Sequence, residues 1–109
     1  MGHARTREKR RSPRIATSTG IWVSWQVDDG PRSVSRVRDL SLGGAFVSTD
    51  TPPPSGTAVK LLFALPEGEL RIDGVVCYSK LKAGMGIEFK RMSAVASARL
   101  QELLRRLKT

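Results

Sequence analysis

From Ile21 to Phe89 the apolar residues recur at every second position in short runs, and beyond Ser93 they recur at every third or fourth. The first spacing puts alternate side chains on opposite faces of a strand; the second lines them along one stripe of a helix. A chain that keeps the first pattern over most of its length is restricted to a mostly β domain, here closed by one helix. In residues 21–25, Ile21, Val23 and Trp25 fall on one side, Trp22 and Ser24 on the other. Residues 33–40 read as a partly exposed strand, 45–48 as a short one and 57–65 as a strongly apolar one. In residues 69–79, Leu70, Ile72, Val76 and Tyr78 are assigned to one face and Glu69, Arg71, Asp73 and Ser79 to the other. In residues 84–90, Met85, Ile87 and Phe89 are assigned inward.

Turn chemistry separates the runs. Asp29-Gly30-Pro31, Ser41 to Gly44 and Pro66 to Gly68 are bends, and Pro52, Pro53 and Pro54 lack the amide donor that a sheet ladder needs. About six short antiparallel strands predict a small barrel or sandwich. After them, Leu100, Leu103, Leu104 and Leu107 form an amphipathic stripe. Ser93 is the expected N-cap, and Arg105, Arg106 and Lys108 suit the negative end of the helix dipole. The stripe needs cover from the barrel or from a second subunit, so a monomer and a homodimer are both open.

The chain of 109 residues fits one domain. Cys77 is its one cysteine, so no intrachain disulfide forms and no C-x-x-C motif exists; its strand setting predicts an inert thiol. His3 is the one histidine and stands at the terminus. No nucleophile–base pair or metal cluster is recognisable, which points away from an enzyme. No secretory h-region follows the basic start, and no apolar run approaches the ~18 residues that span a bilayer. A reducing cytoplasm is the expected setting.

The net charge of +9 is concentrated at the start. Arg5, Arg7, Lys9, Arg10, Arg11 and Arg14 face only Glu8 in the first fourteen residues. Such a segment calls for an anionic partner: nucleic acid, a membrane surface, an acidic protein or a phosphorylated small molecule. Pro13 keeps the segment out of a helix. In an extended chain Arg10 and Arg14 share one side, roughly 13 Å apart at ~3.3 Å per residue, and a bend at Ser12-Pro13 shortens that span. Two guanidinium groups so placed clamp an extended anion, since arginine bonds phosphate or guanine bidentately and stacks on flat rings. The competing reading is a solvated basic tail, the usual fate of a charge run, and for Arg11 it is the better one.

A second group lies in residues 38–46. Asp39 and Ser41 share one face of a strand end about 7 Å apart. A carboxylate accepts from a guanine edge, and a hydroxyl donates to phosphate. Gly43 and Gly44 permit close backbone approach or positive φ. The alternative is an ordinary bulge or hairpin turn, for which Asp, Ser and Gly are the expected residues.

Together, RRSPR (10–14) followed by DLSLGG (39–44) resembles the paired R-x-x-x-R and D/N-x-S-x-x-G signatures of PilZ domains. GMGIEF (84–89) with the leucine-rich helix behind it is similar to the end of such a domain. The likeness runs from about Glu8 to Leu107, and no position of the two motifs is missing. It implies a six-stranded antiparallel β-barrel of the split, PilZ-like kind with a C-terminal α-helix. A flexible basic tail would occupy 1–7 and the domain 8–109, with the barrel at about 15–91 and the helix at about 93–107.

The resemblance also implies a stand-alone bacterial receptor for cyclic di-GMP. Arg10 and Arg14 would contact guanine and phosphate, and Asp39 and Ser41 would bind from the barrel strand, Asp39 toward a guanine edge. Gly43 and Gly44 belong to the same site, with Gly44 keeping the surface open. A basic residue at Lys9 resembles the type that binds an intercalated ligand pair. Ordering of the Arg10–Arg14 segment would signal to a protein partner. Two rivals are a ligand-independent interaction barrel and a nucleic-acid-binding barrel. The low aromatic content argues against the latter. Trp22 and Trp25, on opposite faces of one strand, and Met85 read as packing residues.

Overall fold

The computed structural model describes residues 15–66 and 68–108, with side chains from Gly20 to Leu107. The basic tail and the Lys9, Arg10 and Arg14 positions lie outside the described residues. Among the described residues six strands form: β1 (Ile15–Gln26), β2 (Ser33–Leu40), β3 (Gly44–Ser48), β4 (Ala58–Leu65), β5 (Gly68–Lys80) and β6 (Gly84–Phe89). They close into one antiparallel barrel in the order β1-β2-β3-β6-β5-β4, and one helix, α1 (Ala94–Lys108), follows. Closure through the β1–β4 pair selects a barrel over a sandwich and removes the sheet edges.

Alternation fills the interior. Val23 and Trp25 of β1, Val59, Leu61 and Phe63 of β4, Leu70, Ile72 and Val76 of β5, and Met85 and Ile87 of β6 all point inward and are buried. Trp25 carries a polar atom into this core, and its Nε1–H donates to the Ser35 hydroxyl at 2.9 Å. That satisfies a group whose burial would otherwise cost about 1–3 kcal/mol.

Two irregularities depart from the sequence reading. β1 begins at Ile15, well before the alternating run at Ile21. Its pairing with β2 runs Ile15 with Leu40 and Ala16 with Asp39, then resumes only at Ile21 with Val37. The intervening residues bulge, and Gly20 supplies a φ of 56° there. In β5 the register shifts between Val76 and Tyr78, inserting one extra residue against β6. A single extra residue reverses the side on which every later side chain emerges. Tyr78 was expected inward with Leu70, Ile72 and Val76; it lies on the outside and is 44% exposed. The proline segment covers the flank of β5 at this point: the Ser55 hydroxyl donates to the Cys77 carbonyl at 3.0 Å and the Gly56 amide to the Val76 carbonyl at 2.7 Å.

The helix stripe is covered from within the chain. Leu100, Leu103 and Leu104 are buried in the same core, and α1 packs on β5 and β1. Each fully buried leucine contributes roughly 1.5–3 kcal/mol, so packing rather than intrinsic propensity holds the helix. Arg99 donates to the Glu69 carbonyl at 2.6 Å, tying α1 to the β4–β5 turn. On the exposed side Glu102 pairs with Arg105 and Arg106, and the Arg105 hydrogen bond holds its carboxyl below the usual range. Ser93 is the N-cap, its hydroxyl accepting the Ala96 amide at 3.1 Å. Ser93→Ala is expected to cost about 1 kcal/mol, read as a lower midpoint in thermal denaturation.

Candidate functional site

The site is built where β2 ends. Val37 and Leu40 are three residues apart, yet both are fully buried. A bulge reconciles them: β2 pairs Val37 with Val47 but Asp39 with Phe46, so Arg38 is the extra residue. The insertion turns Arg38 and Asp39 together to the outside, Arg38 exposed and Asp39 half-buried.

Ser41 then closes the turn into β3. Its amide donates to the Gly44 carbonyl at 2.8 Å. Its Oγ accepts the amides of Gly43 and Gly44, each at 3.1 Å, and donates to the Gly44 carbonyl at 3.3 Å. Ser41 is 3% exposed, and its hydroxyl organises the turn beside Asp39. Neither Gly43 nor Gly44 has positive φ. Gly43 is exposed, and its carbonyl accepts the Phe89 amide at 2.8 Å. Gly44 is required by close approach instead, because a Cβ there would stand 2.2 Å from the Ile87 carbonyl oxygen.

Across the sheet from Asp39 runs a row of outward positions. Asp39 pairs with Phe46 on β3, Phe46 with Gly86 on β6, and Gly86 with Tyr78 on β5. At strand spacings of ~4.8 Å, the row extends roughly 14 Å from the carboxylate. Phe46 and Tyr78 stack with centroids 6.2 Å apart and planes at 29°. Gly86 makes this possible, since a Cβ on it would meet the Tyr78 ring at 2.3 Å. The result is a carboxylate at one end of a flat aromatic strip. The sequence reading did not find this strip. Its signal was the spacing of Gly84 and Gly86 around inward Met85, which leaves bare positions on the outer wall.

The first described residues of β1 complete the arrangement. Ile15 pairs with Leu40 and Ala16 with Asp39, so the backbone that follows Arg14 is laid against the D-x-S end of β2. Lys9, Arg10 and Arg14 themselves lie outside the described residues. Among those described, no group of three His, Cys, Asp or Glu side chains could hold a metal ion, and no helix is long and apolar enough to cross a membrane.

No curated protein matches the sequence at a significant level. Solved structures do match in fold. The PilZ domain of YcgR from Escherichia coli, solved with c-di-GMP, superposes with a TM-score of 0.76 at 18% identity, covering 92% of each chain. The PilZ domain of CeSA from a cellulose-synthesizing bacterium gives 0.72 at 24% identity, covering 90% of this chain and all of that one. The complex of MrkH from K. pneumonia with c-di-GMP also gives 0.72, at 22% identity; 90% of this chain matches 51% of MrkH. The family model described as the PilZ domain matches residues 8–106, which is nearly the whole sequence, and the chain therefore belongs to the PilZ domain family.

Proposed function

We propose that this protein is a bacterial, cytoplasmic receptor for cyclic di-GMP that binds the dinucleotide on the outer wall of the barrel and performs no chemistry on it. The observation that carries the reading is the β1–β2 register. Pairing of Ile15 with Leu40 and Ala16 with Asp39 lays the start of β1, which follows the R-x-x-x-R motif in sequence, against the end of β2 that carries Asp39. Relatives of the same fold solved with c-di-GMP support the choice of ligand.

The ligand brings two phosphates and two purines, and each has a counterpart. Arg10 and Arg14 supply bidentate donors for phosphate and guanine edges. The Asp39 carboxylate accepts from guanine N–H groups. The Phe46–Tyr78 strip offers a flat surface for a purine, a contact worth roughly 1–3 kcal/mol per base. Ser41 acts by holding the Gly43 and Gly44 amides in one turn, which fixes the direction of Asp39. The Arg10–Arg14 segment, drawn onto the wall by ligand, presents a changed surface to a protein partner.

Asp39→Ala tests the assignment by isothermal titration. The account predicts at least tenfold weaker binding, the effect of losing a charge-assisted pair; unchanged affinity removes Asp39 from the site. The same titration reads Lys9. Two ligands per wild-type chain, falling to one in Lys9→Ala, is the expected result, and one-to-one binding in wild type refutes that role.

A further inference from the structure

A second face of the barrel has the chemistry of a docking surface, and it lies away from the aromatic strip. It is the outer side of β2, β1 and β4. Trp22 stands on it 58% exposed and Val34 68% exposed. Ser24 pairs with Val34 on one side and with Leu62 on the other, so a small residue separates two apolar ones in a single row. Trp22 occupies the next outward position on β1, opposite Arg36. Diagonal neighbours of this kind lie about 7–8 Å apart, within reach of one large side chain. Exposed tryptophan beside arginine is the composition of binding hot spots.

Around Trp22 the charge on this face has one sign. The outward positions beside Trp22 hold Arg36 and Lys60 and, among the described residues, no carboxylate; Arg38 and Asp39 stand outward only at the far end of β2. Arg32, just before β2, reaches over the face and donates to the Ser24 hydroxyl at 3.4 Å. The nearest carboxylates sit at its margins: Asp39 at the far end of β2, Asp28 and Asp29 in the β1–β2 turn, and Glu69 and Asp73 beyond β4 on β5, where Glu69 is paired with Arg71 at 3.1 Å. A second copy of the chain is a poor occupant, because each copy carries +9. A nucleic acid strand would stack on several rings, and this face offers only Trp22. We infer that the β2–β1–β4 face docks an acidic segment of a partner protein, one that seats a large apolar side chain between Trp22, Val34 and Leu62 and sets its carboxylates against Arg32 and Arg36. The inference does not rest on the dinucleotide reading.

The test is a selection of random peptides, about a dozen residues long, on the immobilised full chain at near-physiological salt. Selected peptides are expected to be acidic with at least one Leu, Phe or Trp. They should bind Trp22→Ala and Val34→Glu at least tenfold more weakly, the loss typical of a hot-spot truncation. Val34→Glu reaches the same result by repulsion and leaves the tryptophan in place. Cyclic di-GMP titrated into Trp22→Ala serves as a separate arm, and affinity equal to wild type shows that the two faces are distinct. Failure of that ligand to bind wild type would count against the dinucleotide reading and leave the peptide result standing. Peptides without acidic bias, equal binding to both variants, or no enrichment at all would overturn the inference. So would oligothymidylate binding that is lost in Trp22→Ala, which would assign the face to nucleic acid.

Discussion

Arg14→Ala is expected to weaken cyclic di-GMP binding by on the order of a hundredfold while barely moving the thermal midpoint of the ligand-free protein. A guanidinium that bonds a phosphate bidentately and also lies on a purine contributes two interactions, each worth roughly 1.5–3 kcal/mol when charge-assisted. The pairing described for β1 begins at Ile15, the residue that follows Arg14 in sequence. Removing a charge that packs in no core leaves stability within about 0.5 kcal/mol, and that is the effect expected for this variant without ligand. Arg14→Lys should recover only part of the affinity, because an ammonium restores the charge but not the planar fork. Calorimetry on the two variants with a thermal melt of each separates the effects. Equal affinity in Arg14→Ala would place the phosphate contacts elsewhere in the basic segment.

Gly44→Ala is expected to act in the opposite way, on the fold first. Its added Cβ would stand 2.2 Å from the Ile87 carbonyl oxygen and 3.3 Å from the carbonyl carbon. Those are backbone atoms of β6, held in place because Ala45 pairs with Ile87 and Gly44 with Glu88. No side chain can swing aside, so the start of β3 must separate from β6. Overpacking of this kind costs about 1–3 kcal/mol. The displaced segment also carries the Gly44 amide and carbonyl that bond Ser41. A total near 3 kcal/mol, or roughly 10–15 °C in midpoint, is the expectation, with ligand affinity falling alongside. A melt indistinguishable from wild type would show that β6 yields there without cost.

Much of this architecture was legible because the apolar period is strict where strands are regular. Parity alone puts Val23 and Trp25 on one face and Trp22 on the other, and the first face is the buried one; the helical stripe likewise groups Leu100, Leu103 and Leu104, all buried. Legibility failed where one residue was inserted. Residues 74–79, GVVCYS, contain no polar residue at the point of the bulge, so nothing marks Cys77 as the extra residue that turns Tyr78 outward. The early part of β1 was missed for a similar reason: IATSTG does not alternate, and it pairs only at its first two residues before bulging. The D-x-S-x-x-G positions were readable as a turn or a binding strand. The hydrogen bonds show that Ser41 organises the turn, and this depends on burial that no local pattern encodes. Gly44 was likewise marked as special for its conformational freedom or for the space it leaves, whereas its neighbour across the sheet sets the requirement.

The central claim is that two separate segments, one cationic and one ending β2, grip a particular dinucleotide. Isothermal titration of the full chain with cyclic di-GMP, with linear pGpG and with GMP, each at about 0.1 and 0.5 M salt, tests it most directly. Binding governed by counterion release to a basic tail falls steeply with salt and ignores cyclisation. The account predicts saturable binding of cyclic di-GMP alone, with affinity changing less than about tenfold between the two salts. No heat of binding with cyclic di-GMP, or equal binding of all three ligands that vanishes at the higher salt, would contradict it.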